Sequence, residues 1–201
     1  MKKTILFAIL IAFLSSSFAQ KLTKLEGDYK ALNGLKKFKL EFVYDDNLSV
    51  GKMTEADYIA EKRAKYEEKH PGEGDKWENG WKNARKSRYA PKFEELFNKG
   101  VAKKDVVASV ALDSYDATMV IHTYFIEPGF NVGIMKKPSL VSWYAIFKDK
   151  DGKQLLKIDS KNAPGVSSFG GDFDASGRIG ESYAKGAKTL AKYLMKKKAF
   201  N

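Results

Sequence analysis

From Asp105 onward the apolar residues stop recurring at helical spacing and begin to alternate or to run in short continuous blocks. This switch of period restricts the fold more than any other feature of the chain. Val106–Leu112, Ala117–Ile126 and Leu140–Phe147 are rich in β-branched and aromatic side chains, which favour a pleated, half-buried surface. Both faces of these runs are largely apolar, so they are expected as central strands. Lys148-Asp149-Lys150-Asp151-Gly152 supplies a hairpin turn and Gln154–Asp159 the returning strand. Connections this short leave no room for helical crossovers, which argues for antiparallel pairing and against a doubly wound parallel sheet. After a Gly-, Ser- and Asp-rich loop over 160–177, Ile179, Tyr183, Ala187, Leu190 and Leu194 recur at steps of four, four, three and four. That spacing makes one core-facing stripe on a long final helix.

Upstream of the switch the reading alternates. Residues 20–36 are polar with isolated leucines and read as a partly ordered lead-in. Phe38, Leu40, Phe42 and Tyr44 share one face of a strand and Lys37, Lys39 and Glu41 the other, and Asp45-Asp46-Asn47 is expected to break it. Thr54 suits an N-cap, with Glu55 and Asp57 in the first turn of a highly charged helix that ends at His70-Pro71-Gly72. A second helix is expected from Asp75 to about Tyr89. Pro91 can open a short third one carrying Phe93, Leu96 and Phe97, closed at Gly100. The order predicts an α+β domain over 20–201: a two-layer arrangement with a mainly antiparallel sheet (105–159), helices packed on one face, a helical insertion (52–100) and a C-terminal helix (176–198).

The first nineteen residues read as a secretory leader. Lys2 and Lys3 precede an apolar run from Ile5 to Leu14, and Ser17-Phe18-Ala19 forms a small-x-small ending before Gln20. The run is too short to cross the ~30 Å hydrocarbon core as a helix, so cleavage near Ala19 and a periplasmic or secreted location are expected. The chain has no cysteine, hence no disulfide and no lipid-attachment thiol at the new N-terminus. No later segment has the length and apolarity of a membrane helix. The formal charge is +11, or +9 without Lys2 and Lys3 of the leader, and in that compartment it points to an anionic polymer or an envelope protein as partner and away from nucleic acid.

The closing stretch from Ser176-Gly177-Arg178-Ile179-Gly180-Glu181 to Lys192-Tyr193-Leu194, together with the element order, resembles small α/β domains of Gram-negative envelope proteins. These are the domain of curli-secretion-channel subunits and that of the lipoproteins that activate peptidoglycan synthases. The resemblance covers the sheet and the last helix and implies a binding or assembly role. It carries no site residue.

Chemistry has few footholds in this sequence. Nucleophilic catalysis lacks a thiol and has two histidines to draw on. His122 falls in a strand beside Val120, Tyr124 and Ile126, where a hydrogen-bonded core residue is expected, and His70 sits at a helix end. The glycines at 170, 171 and 180 lack the Gly-Lys-Ser/Thr ending of a phosphate loop. Asp172, Asp174 and Ser176, followed by Gly177 and Ile179, match the first half of a calcium loop, but Tyr183 stands where the bidentate Glu belongs. Capping of the last helix competes with calcium for these oxygens. Trp77 and Trp81, one turn apart, with Arg85 and Arg88 nearby, could form an aromatic platform for a glycan or could anchor the helix to the sheet. Lys192, Lys196, Lys197 and Lys198 crowd the C-terminal end of the last helix, complementing its dipole. A hydrolase built on Asp45 and Asp46 with Asp172 and Asp174 is a further possibility whose carboxylate separation the sequence does not fix. The expectation is an exported, non-enzymatic binding or scaffolding protein of the envelope, with a calcium- or small-ligand module at 172–181 as the alternative.

Overall fold

The computed structural model describes residues 20–132, 135–166 and 175–201. Strands β1 (Lys21–Gly27), β2 (Lys37–Val50) and β3 (Met53–Thr54) come first. Helices α1 (Glu55–Lys69), α2 (Glu73–Ala84) and α3 (Ala90–Val101) follow. Then come β4 (Val107–Ser109), β5 (Ala117–Glu127), the small hairpin β6 (Phe130–Val132) and β7 (Met135–Lys137), β8 (Ser139–Lys148), β9 (Gln154–Gly165) and α4 (Ala175–Lys196). The fold is α+β.

The main sheet runs β1-β9-β8-β5-β2-β3, with β4 also on β2. It is mixed. β5, β8 and β9 pair antiparallel as the short connections require, but β2 lies parallel to β5, from Phe38 opposite Ala117 to Val50 opposite Ile126. A parallel pair needs a long crossover, and the helical residues between β3 and β4 supply one. β1, expected as a lead-in, is an edge strand on β9. Its side chains are mostly exposed, so it has no apolar alternation to reveal it. Asp45-Asp46-Asn47 does not end β2 but lies in a register shift between Tyr44 and Ser49, a bulge that lets the strand continue.

Helices α3 and α4 lie on one face of this sheet. Phe93 of α3 meets Phe42 and Trp143, and Tyr183 of α4 also meets Phe42. Ile179, Tyr183, Ala187, Leu190 and Leu194 are all fully buried, so the stripe read from spacing is the buried one. Gly165, at the end of β9, is where strand and helix touch backbone to backbone: a Cβ there would sit 2.2 Å from the Arg178 carbonyl oxygen. The Ser139 and Ser182 hydroxyls pair at 2.7 Å beside it.

The opposite face of the sheet is wet. Lys39, Glu41, Val43, His122 and Tyr144 are all at least partly exposed. The expectation of two buried faces, and of His122 as a core residue, is therefore corrected. A register shift between Thr123 and Phe125 explains it. The bulge sends Ile126 into the core and leaves Val120, His122 and Tyr124 on the other side.

From Glu73 to Val101 the chain is helical without a break. Pro91 cannot donate to the Ser87 carbonyl, and its ring would crowd that oxygen in a regular α-turn. The helix instead widens over Arg85–Tyr89 into a π-turn, in which the Ala90 N–H bonds the Arg85 carbonyl. The expected end near Tyr89 and restart at Pro91 are thus one continuous rod.

Tyr183 makes the core sensitive to alkali. Its hydroxyl shares a 2.7 Å hydrogen bond with the Thr123 hydroxyl and its ring stacks on Tyr89 at 5.1 Å. Burial above all pushes its phenol up to about 12. The unfolded chain releases this proton near pH 10, so the stabilisation is complete below pH 10 and is lost as pH rises toward 12. Roughly 2–3 kcal/mol is at stake from this residue. Urea midpoints should fall steeply between about pH 10 and about pH 12, and Tyr183→Phe, weaker by ~1 kcal/mol at neutral pH, should show the shallower fall. Equal slopes in the two proteins would refute this assignment.

Candidate functional site

Helix α1 has no fully buried residue. A helix that buries so little needs other tethers, and it has them in α2, with which it forms an antiparallel hairpin across Pro71-Gly72. Glu55 at its start accepts from Trp81 Nε1 at 2.6 Å and forms an ion pair with Arg85. The Arg85 guanidinium lies 3.8 Å above the Tyr44 ring. At the turn, the Glu67 carboxylate accepts from the backbone N–H groups of Gly72 and Gly74 at 2.9 and 3.1 Å.

The seam between α1 and α2 is aromatic. Trp77 stacks on Tyr66 (5.9 Å, 14°) on one side and on Trp81 (5.8 Å, 18°) on the other. Tyr58 sits edge-on to Trp77 at 5.9 Å and tilted to Trp81 at 5.2 Å. Lys62 Nζ lies 5.5 Å from the Tyr58 ring and Lys69 Nζ 5.8 Å from the Tyr66 ring, both within cation–π reach. Burial, reinforced by Tyr66, pushes the Tyr58 phenol up to about 12, so it stays neutral at ordinary pH.

Across from this seam lies the turn that enters β6. Arg178, 4% exposed on α4, donates to the Pro128 and Gly129 carbonyls at 3.2 Å each. Between seam and turn is a cleft of about 240 Å³, bounded by Tyr58, Tyr66, Trp77, Phe130 and Arg178, with Lys65 at its rim. A second hollow of about 310 Å³ lies on the other side of Trp77, against Trp81, Ser87, Arg88 and Ser176.

The structure sorts the expected residues by role. Trp81 is buried and committed to Glu55, and Arg85 is committed to the same carboxylate. Both hold the α1–α2 hairpin to the rest of the fold. Trp77 is half-buried against α1 and borders both hollows; Arg88 is exposed beside the second. Ser176 lies in the first turn of α4 and borders that hollow as well, while Asp172 and Asp174 lie outside the described residues. Among the described residues there is no group of three or more His, Asp or Glu side chains able to hold a metal. His122 Nε2 lies 3.6 Å from an Asp45 carboxylate oxygen on the open sheet face. Lys197 reaches over the Tyr29 and Tyr193 rings.

Tyr58, Tyr66, Lys62, Lys65, Lys69, Phe130 and Arg178 were not read from sequence as site residues. Tyr66 and Trp77 flank His70-Pro71-Gly72 at a distance that a helical hairpin brings together, so that pair carried a usable signal. Phe130 and Arg178 arrive from distant elements and carried none.

No protein-family model matches the chain, and no curated protein matches it. Solved structures do. A PelC dodecamer from Paraburkholderia phytofirmans, in a leucine-to-methionine variant, is similar at a TM-score of 0.35 and 11% identity, over 84% of this chain and 97% of that one. A second PelC dodecamer from the same organism gives 0.37 and 11%, over 83% and 97%. A DUF330 protein from Xanthomonas campestris gives 0.38 and 9%, over 81% and 85%. Likeness this distant carries no inference about the present chain. Among the described residues, no helix is long and apolar enough to cross a membrane.

Proposed function

We propose that this chain is a non-enzymatic binding protein of the bacterial cell envelope, periplasmic or secreted, whose ligand is an acidic polysaccharide held at the Trp77 cleft. One observation carries the reading. A half-buried indole stands between two hollows, with Lys62, Lys65 and Lys69 grouped about the larger aromatic surface. Sugar rings present apolar C–H faces that pack on aromatic rings, and the carboxylates of acidic sugars pair with lysine. Rings alone would suit a neutral glycan. The surrounding cations and the formal charge of the chain, +9 once Lys2 and Lys3 leave with the leader, favour an acidic one. The envelope domains that the closing helix resembles are binding and assembly parts, which fits this role.

The test is titration of the chain from Gln20 to Asn201 with polygalacturonate, followed by tryptophan fluorescence and calorimetry, with dextran as the neutral control. Binding should weaken with added salt. Trp77→Ala should weaken it at least ~10-fold, about 1.4 kcal/mol, and so should combined Lys62→Glu, Lys65→Glu and Lys69→Glu. Absence of polygalacturonate binding at low salt, or binding indifferent to both variants, would overturn the reading.

A further inference from the structure

We infer that the Trp77 cleft is one end of a longer groove, and that the ligand is an extended anionic chain laid along helices α2, α3 and α4. The inference rests on the reading of the cleft given above. The two hollows beside Trp77 have Trp77 and Ala175 in common. The second shares Ser87, Arg88 and Ser176 with a neighbouring, larger cavity of about 620 Å³. That cavity in turn shares Val166 and Glu181 with a further one of about 290 Å³ lined by Leu96, Lys185 and Lys188.

The length follows from the helix that walls it. Trp77 and Leu96 belong to one uninterrupted helical run, so at 1.5 Å per residue the groove is about 28 Å long. Its opposite wall is the outer side of α4. Gly177, Glu181, Ala184 and Lys188 recur there at helical spacing, offset from the buried stripe of Tyr183, Ala187 and Leu190. Gly180 lets the two walls meet at the floor: a Cβ there would lie in van der Waals contact, 3.9 Å from the Arg88 and Lys92 side chains.

Positive charge gathers at the two ends of the row. Lys62, Lys65 and Lys69 stand at the Trp77 end and Lys185 and Lys188 at the far end, with Arg88 between them. Glu95 and Glu181 are the carboxylates among the described lining residues. Glu181 is neutralised by Lys92 Nζ at 2.8 Å. Val166, 63% exposed, adds an apolar contact between the central and far cavities. A compact ligand would use one hollow. A row of hollows with cations gathered at its two ends fits an anionic chain long enough to reach both.

Size-defined oligogalacturonates separate this inference from the cleft reading. Affinity per oligomer should rise with length until the chain fills the groove. Lys185 and Lys188 are exposed, so Lys185→Glu with Lys188→Glu should leave the melting temperature unchanged. The double variant should bind short oligomers like the unmodified protein and lose ~10-fold in affinity for long ones, the worth of two or more exposed ion pairs. Trp77→Ala should weaken both lengths. If Trp77→Ala weakens binding but the far-end double variant binds long oligomers undiminished, the groove is refuted and the cleft stands. If Trp77→Ala changes nothing, the cleft reading fails and the groove with it.

Discussion

Trp143→Ala is expected to lower the free energy of unfolding by about 3–5 kcal/mol, the range for emptying a large aromatic site in a packed core. Trp143 is fully buried in a central strand and heads the largest fully buried side chains of the fold. Its ring meets Phe93 of α3 edge-on at 5.7 Å and packs under α4 where Gly186 lies. A Cβ at Gly186 would come 2.9 Å from the indole edge, so the helix has been brought down until backbone rests on ring. Removal therefore strips support from the sheet, α3 and α4 together, and the facing backbone cannot collapse fully into the space. The indole Nε1 is buried with no hydrogen-bond acceptor among the described residues. Trp143→Phe accordingly forfeits volume but no polar contact and should cost less, about 1–2 kcal/mol. Thermal melts and urea titrations of both variants check the order. For a chain of this size the alanine variant should melt roughly 10 °C lower or more. A loss under ~1 kcal/mol would show that the sheet and the two helices are not locked through this ring.

The contrast between Trp143 and Trp77 shows what is legible in the sequence. Trp143 lies within the apolar run Leu140–Phe147 and is sealed in the core, whereas Trp77 stands between Lys76 and Glu78 and borders the cleft. Local pattern did fix much. The stripe from Ile179 to Leu194 is the buried face of α4, the hairpin turn after Lys148 is present, and Thr54 caps α1, accepting from the Asp57 N–H. Each of these depends on residues close in sequence. Pairing partners do not. The same alternation in Phe38–Tyr44 suits a strand in either direction, and only the helical crossover after β3 decides that β2 runs parallel to β5. Bulges were invisible for a related reason. A single register shift at Tyr124 moves Ile126 to the other face, and no composition marks it. The cleft was half-legible. Trp77 stands out by type, whereas Arg178 becomes a site residue because its guanidinium reaches the turn at Pro128-Gly129, which lies nearly fifty residues earlier in the chain.

Leu190→Ala is expected to cost about 2–5 kcal/mol, and Lys192→Ala at most a few tenths. The two positions are two residues apart on α4, so helix propensity and chain location hardly distinguish them, and leucine, lysine and alanine are all good helix formers. Orientation distinguishes them. Leu190 has no exposed surface, as have Ala187, Ala191 and Leu194 around it, while Lys192 is exposed. α4 lies against β8 and β9 on one side and α3 on another, so a hole at Leu190 opens inside the helix layer and is bounded by elements pinned elsewhere. Ring packing holds α3 on Phe42 and Trp143, and the Ser139–Ser182 pair holds the start of α4. Neither helix can slide to fill the space, which places the cost toward the upper part of the range. Denaturant titrations should show the Leu190→Ala midpoint shifted at constant slope, the mark of lost stability without a change in the surface exposed on unfolding. Equal midpoints for the two variants would mean that α4 presents a different face to the sheet. The groove would then lose its wall as well, because Gly177, Glu181, Ala184 and Lys188 line it only if Tyr183, Ala187 and Leu190 point the other way.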